Sequence, residues 1–494
     1  MTFPMPAHDT GLWQAAEYEL EAALDGRPLV AAERFASSGR TTYAGPVPIA
    51  AARPALAIGC YEPWVPASPV EALTLEGRAS LRGAAQRRSW MADLDRSSQT
   101  AVRRHERPVI AAWYATDRLR RWAGPRGTVA AIDAALRAEV ENKASFGDIL
   151  NHSGVPTGLH LTGARVDGPL PGLRELRRLV RSEKVVVQCG ADSGGRGTVF
   201  VDTETDLARA AEMAGPYRVT AFVAGWSANT TVLSVPDRAG RPRVYVDRPS
   251  HKAVGVPEAG IVAGKSGGNT WCLPWPEDAA ARLVDAAVRI ATWAWDKHRL
   301  KGLFGLDALL TADGEVFLNE INCRNQGTTE VSAVNQQLRG LPPFLIAHLT
   351  TMLDHPVTWL PDSDDFNAVT VDLTAGPAPG PYYLKLRHRG EEPVRLGPHL
   401  GVPGVYRVHE GRLRWVRAGA HPADAGPGEV LLANLPAPGT VCEPDAELGT
   451  AEGITTAADA PFAGPHTLSQ ASRELLAAFD QHLIPADRQE GTAP

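Results

Sequence analysis

The sequence of 494 residues predicts a protein of the α/β (or α+β) class with several domains. Two short apolar runs, RPALAIGCY (53–61) and RPVIAAWYA (107–115), have the composition of buried strands and alternate with helical stretches. From about residue 360 onward, prolines, glycines and short β-like runs dominate. These observations indicate an N-terminal α/β domain, a central region of strands and helices, and a smaller β-rich C-terminal domain.

The composition argues against several classes of function. The formal net charge is −6 without a long run of one sign, so neither a nucleic acid nor a membrane is expected as a partner. No apolar stretch approaches the roughly 18 residues of a membrane-spanning helix, and the N-terminus lacks the pattern of a signal peptide. The cysteines are scattered without a CxxC spacing, which fits a reducing compartment. We therefore expect a cytoplasmic protein.

Periodicity and capping residues predict the central elements. A helical pattern over 128–153 ends where Gly154 can cap it and Pro156 prevents its continuation. Strands flank a glycine-rich turn within 184–201, and Thr203 or Thr205 caps the helix that follows.

Three later segments complete the predicted elements. Pro276 stands where a first helical residue is expected and opens an amphipathic helix over 277–298. In the C-terminal region, NAVTVDL (367–373) is predicted as a strand because of its β-branched residues. LSQASRELLAAFDQHL (468–483) is predicted as a helix.

An apolar hairpin between 302 and 324 carries the most specific signal in the chain. The pair Asp313-Gly314 predicts a two-residue turn. The register that this turn sets places Asp307 directly opposite Glu320, with Cβ atoms about 4.5–5.5 Å apart. Asn322 lies two residues further along and therefore projects from the same face as Glu320.

Two carboxylates that face each other in an apolar segment repel, and the repulsion grows where the effective dielectric constant falls. A hard divalent cation removes this conflict, and Mg²⁺ prefers a few carboxylate oxygens together with substrate phosphates. The alternative is a solvated hairpin face whose acids have no role. The apolar neighbours of the two acids argue against this alternative: Phe304, Leu306, Leu309, Leu310, Phe317, Leu318 and Ile321.

The segment GLFGLDALLTADGEVFLNEINCR (302–324) resembles the magnesium hairpin of the ATP-grasp ligases, in which an acid is followed along the chain by Glu-x-Asn and often x-Arg. The resemblance implies that Asp307, Glu320 and Asn322 bind one or two Mg²⁺ ions that bridge the phosphates of ATP. It also implies that Arg324 contacts the transferred phosphoryl group, where a fork of donors suits developing charge.

The segment KVVVQCGADSGGRGT (184–198) resembles the glycine-rich phosphate loop of the same family, whose backbone N–H groups cover the phosphates. Many members carry a lysine at the position of Gln188, so either Lys184 reaches the nucleotide or Gln188 makes a neutral contact. The resemblance places five residues of this segment over the phosphates: Ser193, Gly194, Gly195, Gly197 and Thr198.

Other residues of the expected nucleotide site also follow from the resemblance. Lys143 matches a second nucleotide-binding lysine of the family. The backbone groups of Phe222 and Val223 match the hinge strand that binds adenine. Ser227 lies near the position where an acidic residue usually holds the ribose.

The loop from Ser250 to Thr270 lies where such enzymes often close over the acceptor substrate. Lys252, Lys265 and Asn269 are candidates for binding a substrate carboxylate or for closing the site. We count the two lysines with Arg324 as candidate catalytic residues. A surface loop without a role is the alternative for this segment.

The resemblance implies an ATP-grasp fold between an α/β pre-ATP-grasp domain and a β-rich domain. It implies an ATP-dependent, ADP-forming ligase that joins a carboxylate to an amine through an acyl phosphate, with an amino acid or a small peptide as substrate. The alternatives are an ATP-grasp carboxylase or phosphotransferase, and a nucleotide-binding regulatory protein without turnover. A homodimer is compatible with the sequence. The expected domains are 1–135 (N-terminal α/β), 136–225 (small subdomain with the phosphate loop), 226–355 (large subdomain with the metal hairpin) and 356–494 (C-terminal, β-rich).

Overall fold

A computed structural model of the chain describes residues 10–35, 47–62, 70–76, 90–190, 197–400 and 402–487. Its helices, numbered along the chain, are α1 Thr10–Leu24, α2 Trp90–Asp93, α3 Asp95–Val102, α4 Asp117–Ala123, α5 Ala134–Val140, α6 Phe146–His152, α7 Leu173–Val180, α8 Glu204–Ala211, α9 Glu277–His298, α10 Thr329–Leu338, α11 Phe344–Met352, α12 Ser363–Ala375 and α13 Gln470–Asp480. Its strands are β1 Leu29–Ala32, β2 Leu56–Gly59, β3 Ala72–Thr74, β4 Val109–Ala112, β5 Thr128–Ala130, β6 Gly163–Val166, β7 Val185–Cys189, β8 Thr198–Val201, β9 Tyr217–Ala221, β10 Trp226–Pro236, β11 Pro242–Val246, β12 Ser250–Val254, β13 Ser266–Thr270, β14 Gly302–Leu310, β15 Val316–Asn322, β16 Gly380–Arg387, β17 Val394–Leu396, β18 Gly404–His409, β19 Arg412–Arg417, β20 Val430–Ala433, β21 Val441–Cys442, β22 Glu447–Thr455, β23 Phe462–Gly464, β24 Thr467–Leu468 and β25 Leu483–Pro485.

A parallel sheet with the strand order β3-β2-β1-β4-β5 lies in the N-terminal part of the chain. The strands predicted within 53–61 and 107–115 are confirmed as β2 and β4, and both are buried over their whole length. The backbone beyond β4 reaches the end of the predicted metal hairpin, because the N–H of Asn325 donates to the carbonyl of Trp113 at 3.1 Å. The N-terminal sheet therefore borders the candidate site.

An antiparallel sheet with the order β6-β9-β7-β8, which we call the small sheet, follows in the chain. Val187 and Val219 pack with α7 in one core cluster. Their strand neighbours Gln188 and Arg218 therefore project from the opposite face. Thr203, and not Thr205, caps α8, in a capping box with Asp206.

A large sheet runs through the rest of the described chain in the order β15-β14-β10-β12-β13-β16-β22-β20-β18-β19, with β11 paired to the far part of β10. The predicted amphipathic helix is confirmed as α9, and its alanine-rich face packs with β14 and β15 in one core cluster. Five later strands, β16, β22, β20, β18 and β19, join this sheet through the pairing of β13 with β16, whereas β21-β17-β25 and β23-β24 form two small separate sheets. The boundaries of the four expected domains stay a prediction.

Two predicted elements are wrong. Residues 128–153 do not form one helix: 128–130 form β5 beside β4, and Asp133 and Asn142 each cap a new helical turn with their side chains. Residues 367–373 lie in α12 rather than in a strand. Asp362 caps this helix, and the buried Asn367 side chain bonds the backbone of β11, so tertiary packing overrides the β-branched residues.

The helix predicted within 468–483 is confirmed as α13, with Ser469 as its cap. None of the described helices is both long and apolar enough to cross a membrane.

Candidate active site

The hairpin of β14 and β15 places Asp307 directly opposite Glu320, as the sequence predicts. The predicted two-residue turn is nevertheless wrong. Leu310 pairs with Val316, and the N–H of Thr311 donates to the carbonyl of Glu315 at 2.9 Å. The loop therefore consists of the three residues 312–314, and Gly314 at its end has a φ of 82°. A three-residue loop that ends on a left-handed glycine is a common alternative to the two-residue turn.

A bulge at Asn319 compensates for the longer loop. Near the loop Ala308 pairs with Leu318, whereas beyond the bulge Asp307 pairs with Glu320. The extra residue restores the register that puts the two carboxylates on one face. Bulges of this kind re-aim side chains beside active sites.

Each of the two carboxylates binds a lysine. Lys143 Nζ lies 2.7 Å from Oε2 of Glu320, and Lys252 Nζ lies 2.7 Å from Oδ2 of Asp307. Burial tends to raise the pKa of Glu320, but Lys143, Lys252 and Arg324 outweigh it and lower this pKa to about 2. Burial likewise tends to lower the pKa of Lys252, but Asp307 and Glu320 outweigh it and raise this pKa.

Asn229 is a buried residue of the site that the sequence did not reveal. It stands opposite Asp307 in the pairing of β10 with β14. Its Nδ2 donates to Oδ1 of Asp307 and, at 2.6 Å, to Oε1 of Gln326. Its Oδ1 accepts from the Thr328 hydroxyl at 3.1 Å. These bonds fix the Asp307 carboxylate, and no local motif around Asn229 signals this role because it depends on strand pairing.

Arg324 is held on three sides. Its Nη2 donates to Oδ1 of Asn322 at 2.6 Å, and its Nε lies 3.1 Å from Oε1 of Glu141. The guanidinium lies 5.5 Å from the centre of the Trp113 ring. Glu141 also pairs with Arg137 at 2.6 Å. No local motif marks Glu141, because its contact with Arg324 spans more than 180 positions of the chain.

The donor set of the hairpin fits Mg²⁺. Asp307, Glu320 and Asn322 offer carboxylate and amide oxygens, the ligands that hard cations prefer. The carboxylate of Asp307 is buried, with 6% of its side chain exposed, and it is already matched to a positive charge. Among the described residues no group of three or more His, Cys, Asp or Glu side chains could hold a metal ion.

The residues predicted to bind nucleotide line the small sheet beside the hairpin. Gln188 Nε2 donates to the Thr198 hydroxyl at 3.3 Å. Lys184 Nζ lies 5.6 Å from the centre of the Phe222 ring, and the N–H of Phe222 donates to the Lys184 carbonyl at 3.0 Å. Lys184 is therefore placed at the hinge and not beside Gln188. Val223 follows at this hinge, and Gly197 is buried at the start of β8.

The remaining predicted positions have different outcomes. Ser227 lies on β10, where it pairs with Lys252 of β12. The segment from Ser250 to Thr270, which is predicted to be a loop, instead forms β12 and β13 with a connection between them, because its two ends pair within the large sheet. Lys265 lies in that connection, whereas Lys252 lies on β12 and binds a hairpin carboxylate. Ser193, Gly194 and Gly195 lie outside the described residues.

Comparison with known proteins gives structural but not sequence matches. Neither the scan against protein-family models nor the search of curated proteins found a match. Among solved structures, the chain is similar to phosphoribosylamine–glycine ligase from Thermotoga maritima, with a TM-score of 0.50 and 12% identity over 92% of this chain and 97% of that chain. It is also similar to an L-amino acid ligase from Bacillus licheniformis, with a TM-score of 0.49 and 13% identity over 92% of this chain and 98% of that one.

The first of these likenesses, together with the hairpin and the two sheets that flank it, establishes the architecture. At 12% identity it concerns the fold and not the substrate. The chain has the ATP-grasp fold that its hairpin and glycine-rich segment predict.

Proposed function

We propose that this protein is an ATP-dependent, ADP-forming ligase that joins a carboxylate to an amine. One observation supports this proposal above all: Asp307 and Glu320 face each other in register, and Lys143, Lys252 and Arg324 surround them. Oxygen donors and fixed cations at one place suit the transfer of a phosphoryl group, where catalysis is mostly positioning and charge stabilisation.

The residues of the site have separate roles in this proposal. Asp307, Glu320 and Asn322 would hold one or two Mg²⁺ ions, which supply positive charge to the phosphates of ATP when bound. Lys143, whose Nζ lies 2.7 Å from Oε2 of Glu320, would contact a phosphate group that is bound beside this carboxylate. Arg324 offers a planar fork of donors to the phosphoryl group in transit, and Glu141 and Asn322 keep that fork in one orientation.

The reaction proceeds in two steps. An oxygen of the substrate carboxylate attacks the γ-phosphorus, the bond from that phosphorus to the bridging oxygen of ADP breaks, and an acyl phosphate forms. The amine nitrogen then attacks the acyl carbon, the bond from that carbon to the phosphate oxygen breaks, and the amine releases a proton. The products are an amide, ADP and phosphate, and no Ser or Cys nucleophile is required.

The class of substrate rests on the family resemblance. We propose an amino acid or a small peptide for the carboxylate, and a second small molecule of this kind for the amine. A soluble, cytoplasmic enzyme fits these substrates and the use of ATP.

A substrate screen tests the proposal. Purified protein is incubated with ATP, Mg²⁺ and pairs of amino acids or peptides, and mass spectrometry follows the nucleotide and the amide. We expect ADP and phosphate only when a carboxylate and an amine are both present. Release of AMP and pyrophosphate would exclude the mechanism, and ADP release that needs bicarbonate but no amine would indicate a carboxylase instead.

A further inference from the structure

Arg218 is a buried cation at the junction of the small sheet and the metal hairpin. It lies on β9 directly opposite Gln188 of β7, and its Nη1 donates to Oε1 of Gln188 at 3.3 Å. The same Nη1 donates to the carbonyl of Asn319, the residue that forms the hairpin bulge. The guanidinium also lies 4.9 Å from the centre of the Phe146 ring, at the start of α6.

The positive charge of Arg218 has no ionic partner among the described residues. Its hydrogen-bond acceptors are neutral oxygens of Gln188 and Asn319, although only 7% of the residue is exposed. The charge of Glu320 attracts the Arg218 guanidinium without forming an ion pair with it, and Glu320 is paired with Lys143 instead. Burial lowers the pKa of Arg218 to about 10, which leaves it protonated at neutral pH. A buried charge without a counterion is costly, and an anionic ligand removes that cost.

The guanidinium also has donors to spare. The hydrogen bonds that Arg218 makes in the described structure all use Nη1 as the donor. The N–H groups of Nε and Nη2 therefore remain for a ligand. Its surroundings are the strand that precedes the glycine-rich turn, the bulge next to Glu320, and the helix that follows Lys143. The family resemblance links the segment of this strand, the hairpin and Lys143 to the nucleotide.

We propose that Arg218 binds the phosphate groups of the nucleotide and supplies, from β9, the charge that Gln188 lacks. This inference rests on the proposed function as far as the identity of the ligand is concerned. A guanidinium that donates to phosphate oxygens and to the bulge carbonyl at the same time also ties the small sheet to the hairpin.

Nucleotide binding by calorimetry tests the proposal without any turnover. Arg218→Gln should weaken binding of ADP about 10- to 100-fold, the usual effect of losing a charged hydrogen bond. Binding of adenosine, which has no phosphate, should stay within about 3-fold, well under the 1.4 kcal/mol of a tenfold change. The double variant Gln188→Lys with Arg218→Gln moves the cation to the facing strand and should recover most of the ADP affinity.

Arg243→Gln is the matched control, because Arg243 also lies on a strand, donates to a backbone carbonyl and stands over an aromatic ring, but at β11. It should leave ADP binding unchanged. Equal ADP affinities of the wild type and Arg218→Gln would overturn the assignment while leaving the ligase proposal intact. An equal loss for ADP and adenosine, or a double variant that folds but recovers nothing, would make Arg218 structural and would overturn the assignment too.

The two proposals fail separately. If Arg218→Gln weakens ADP binding selectively but the substrate screen yields no amide, the assignment of Arg218 holds and the ligase proposal fails. If Arg218→Gln does not fold, the double variant decides: selective recovery of ADP over adenosine affinity relative to Gln188→Lys alone supports the assignment, and ADP affinity lost together with adenosine affinity contradicts it.

Discussion

Lys252 holds the carboxylate of Asp307 from a strand two places away in the large sheet, at a distance of 2.7 Å. Removing one partner of a buried ion pair leaves an uncompensated charge. Lys252→Met should therefore lower the free energy of unfolding by about 3–5 kcal/mol in EDTA, as measured by urea denaturation. Lys301→Met, which breaks the exposed pair with Asp354, should cost less than about 1 kcal/mol. Equal losses would show that the Lys252 pair is solvated.

The hairpin carboxylates themselves are the most direct test of the metal assignment. Asp307→Asn and Glu320→Gln should each abolish ATP consumption and leave the circular dichroism spectrum unchanged, because a neutral amide keeps the shape but loses the charge. Glu315→Gln is the control on the same hairpin, where the side chain is 54% exposed and contacts Arg282. Near-normal ADP release by both site variants would contradict the assignment.

Glu320 predicts a dependence of stability on pH. The surrounding cations lower its pKa from the usual 4.5 to about 2 in the folded protein, so its ionised form stabilises the fold above pH 4.5. This contribution is lost as the pH falls from 4.5 towards 2. The difference in unfolding free energy between the wild type and Glu320→Gln should thus be largest near pH 6 and shrink steadily below pH 4.5. A difference that stays constant down to pH 3 would contradict this account.

Glu141 is predicted to act as a positioning residue. It holds Arg324 at 3.1 Å, and Glu141→Gln removes the charge that fixes the guanidinium. We expect kcat to fall about 10- to 100-fold, with KM for ATP changed less than about 3-fold, because orientation in the transition state is lost rather than ground-state binding. The control is Glu139→Gln, in the last turn of α5, whose side chain is 61% exposed. A parallel rise in KM and loss of melting temperature would indicate a structural role instead.

Gly305 has no room for a side chain. A Cβ there would lie 1.7 Å from Nε2 of Gln326, the residue whose Oε1 accepts from Asn229. Gly305→Ala should cost about 1–3 kcal/mol of unfolding free energy and should lower ATP turnover, because the Asn229 bonds that fix Asp307 are disturbed. Gly147 lies on α6, where an added Cβ would meet no other atom within 4 Å. Gly147→Ala should therefore raise the free energy of unfolding by up to about 1 kcal/mol. Denaturation curves of both variants decide.

The hairpin shows how far local sequence rules reach. The pairing of Asp307 with Glu320 could be predicted, but through a turn that does not exist. The three-residue loop shifts the register by one residue, and the bulge at Asn319 shifts it back. The Asp-Gly dipeptide predicts a turn but does not set the length of the loop. No local motif marks the bulge at Asn319, whose carbonyl accepts from Arg218 of a distant strand. Two local errors therefore cancelled in the prediction of the site.

The site residues that could not be predicted from the sequence depend on partners far away in the chain. Asn229, Glu141 and Arg218 have no motif, because each acquires its role from a strand or helix far away in the chain. Cys323, which follows the metal hairpin residue Asn322, is fully buried in the core cluster of α9, β14 and β15. The prediction of a strand over 367–373 was wrong because it considered the β-branched residues without the Asp362 cap and the buried contacts of Asn367.

The pairing of β13 with β16 makes the C-terminal strands part of the same hydrogen-bonded sheet as the hairpin. A chain cut near residue 360 would leave β13 as an open sheet edge, because Gly268, Asn269 and Thr270 would lose the strand with which they pair. Such an edge is a template for intermolecular pairing and aggregation. The C-terminal strands thus cover the edge of β13. An expression fragment that carries the hairpin but ends before these strands should be insoluble.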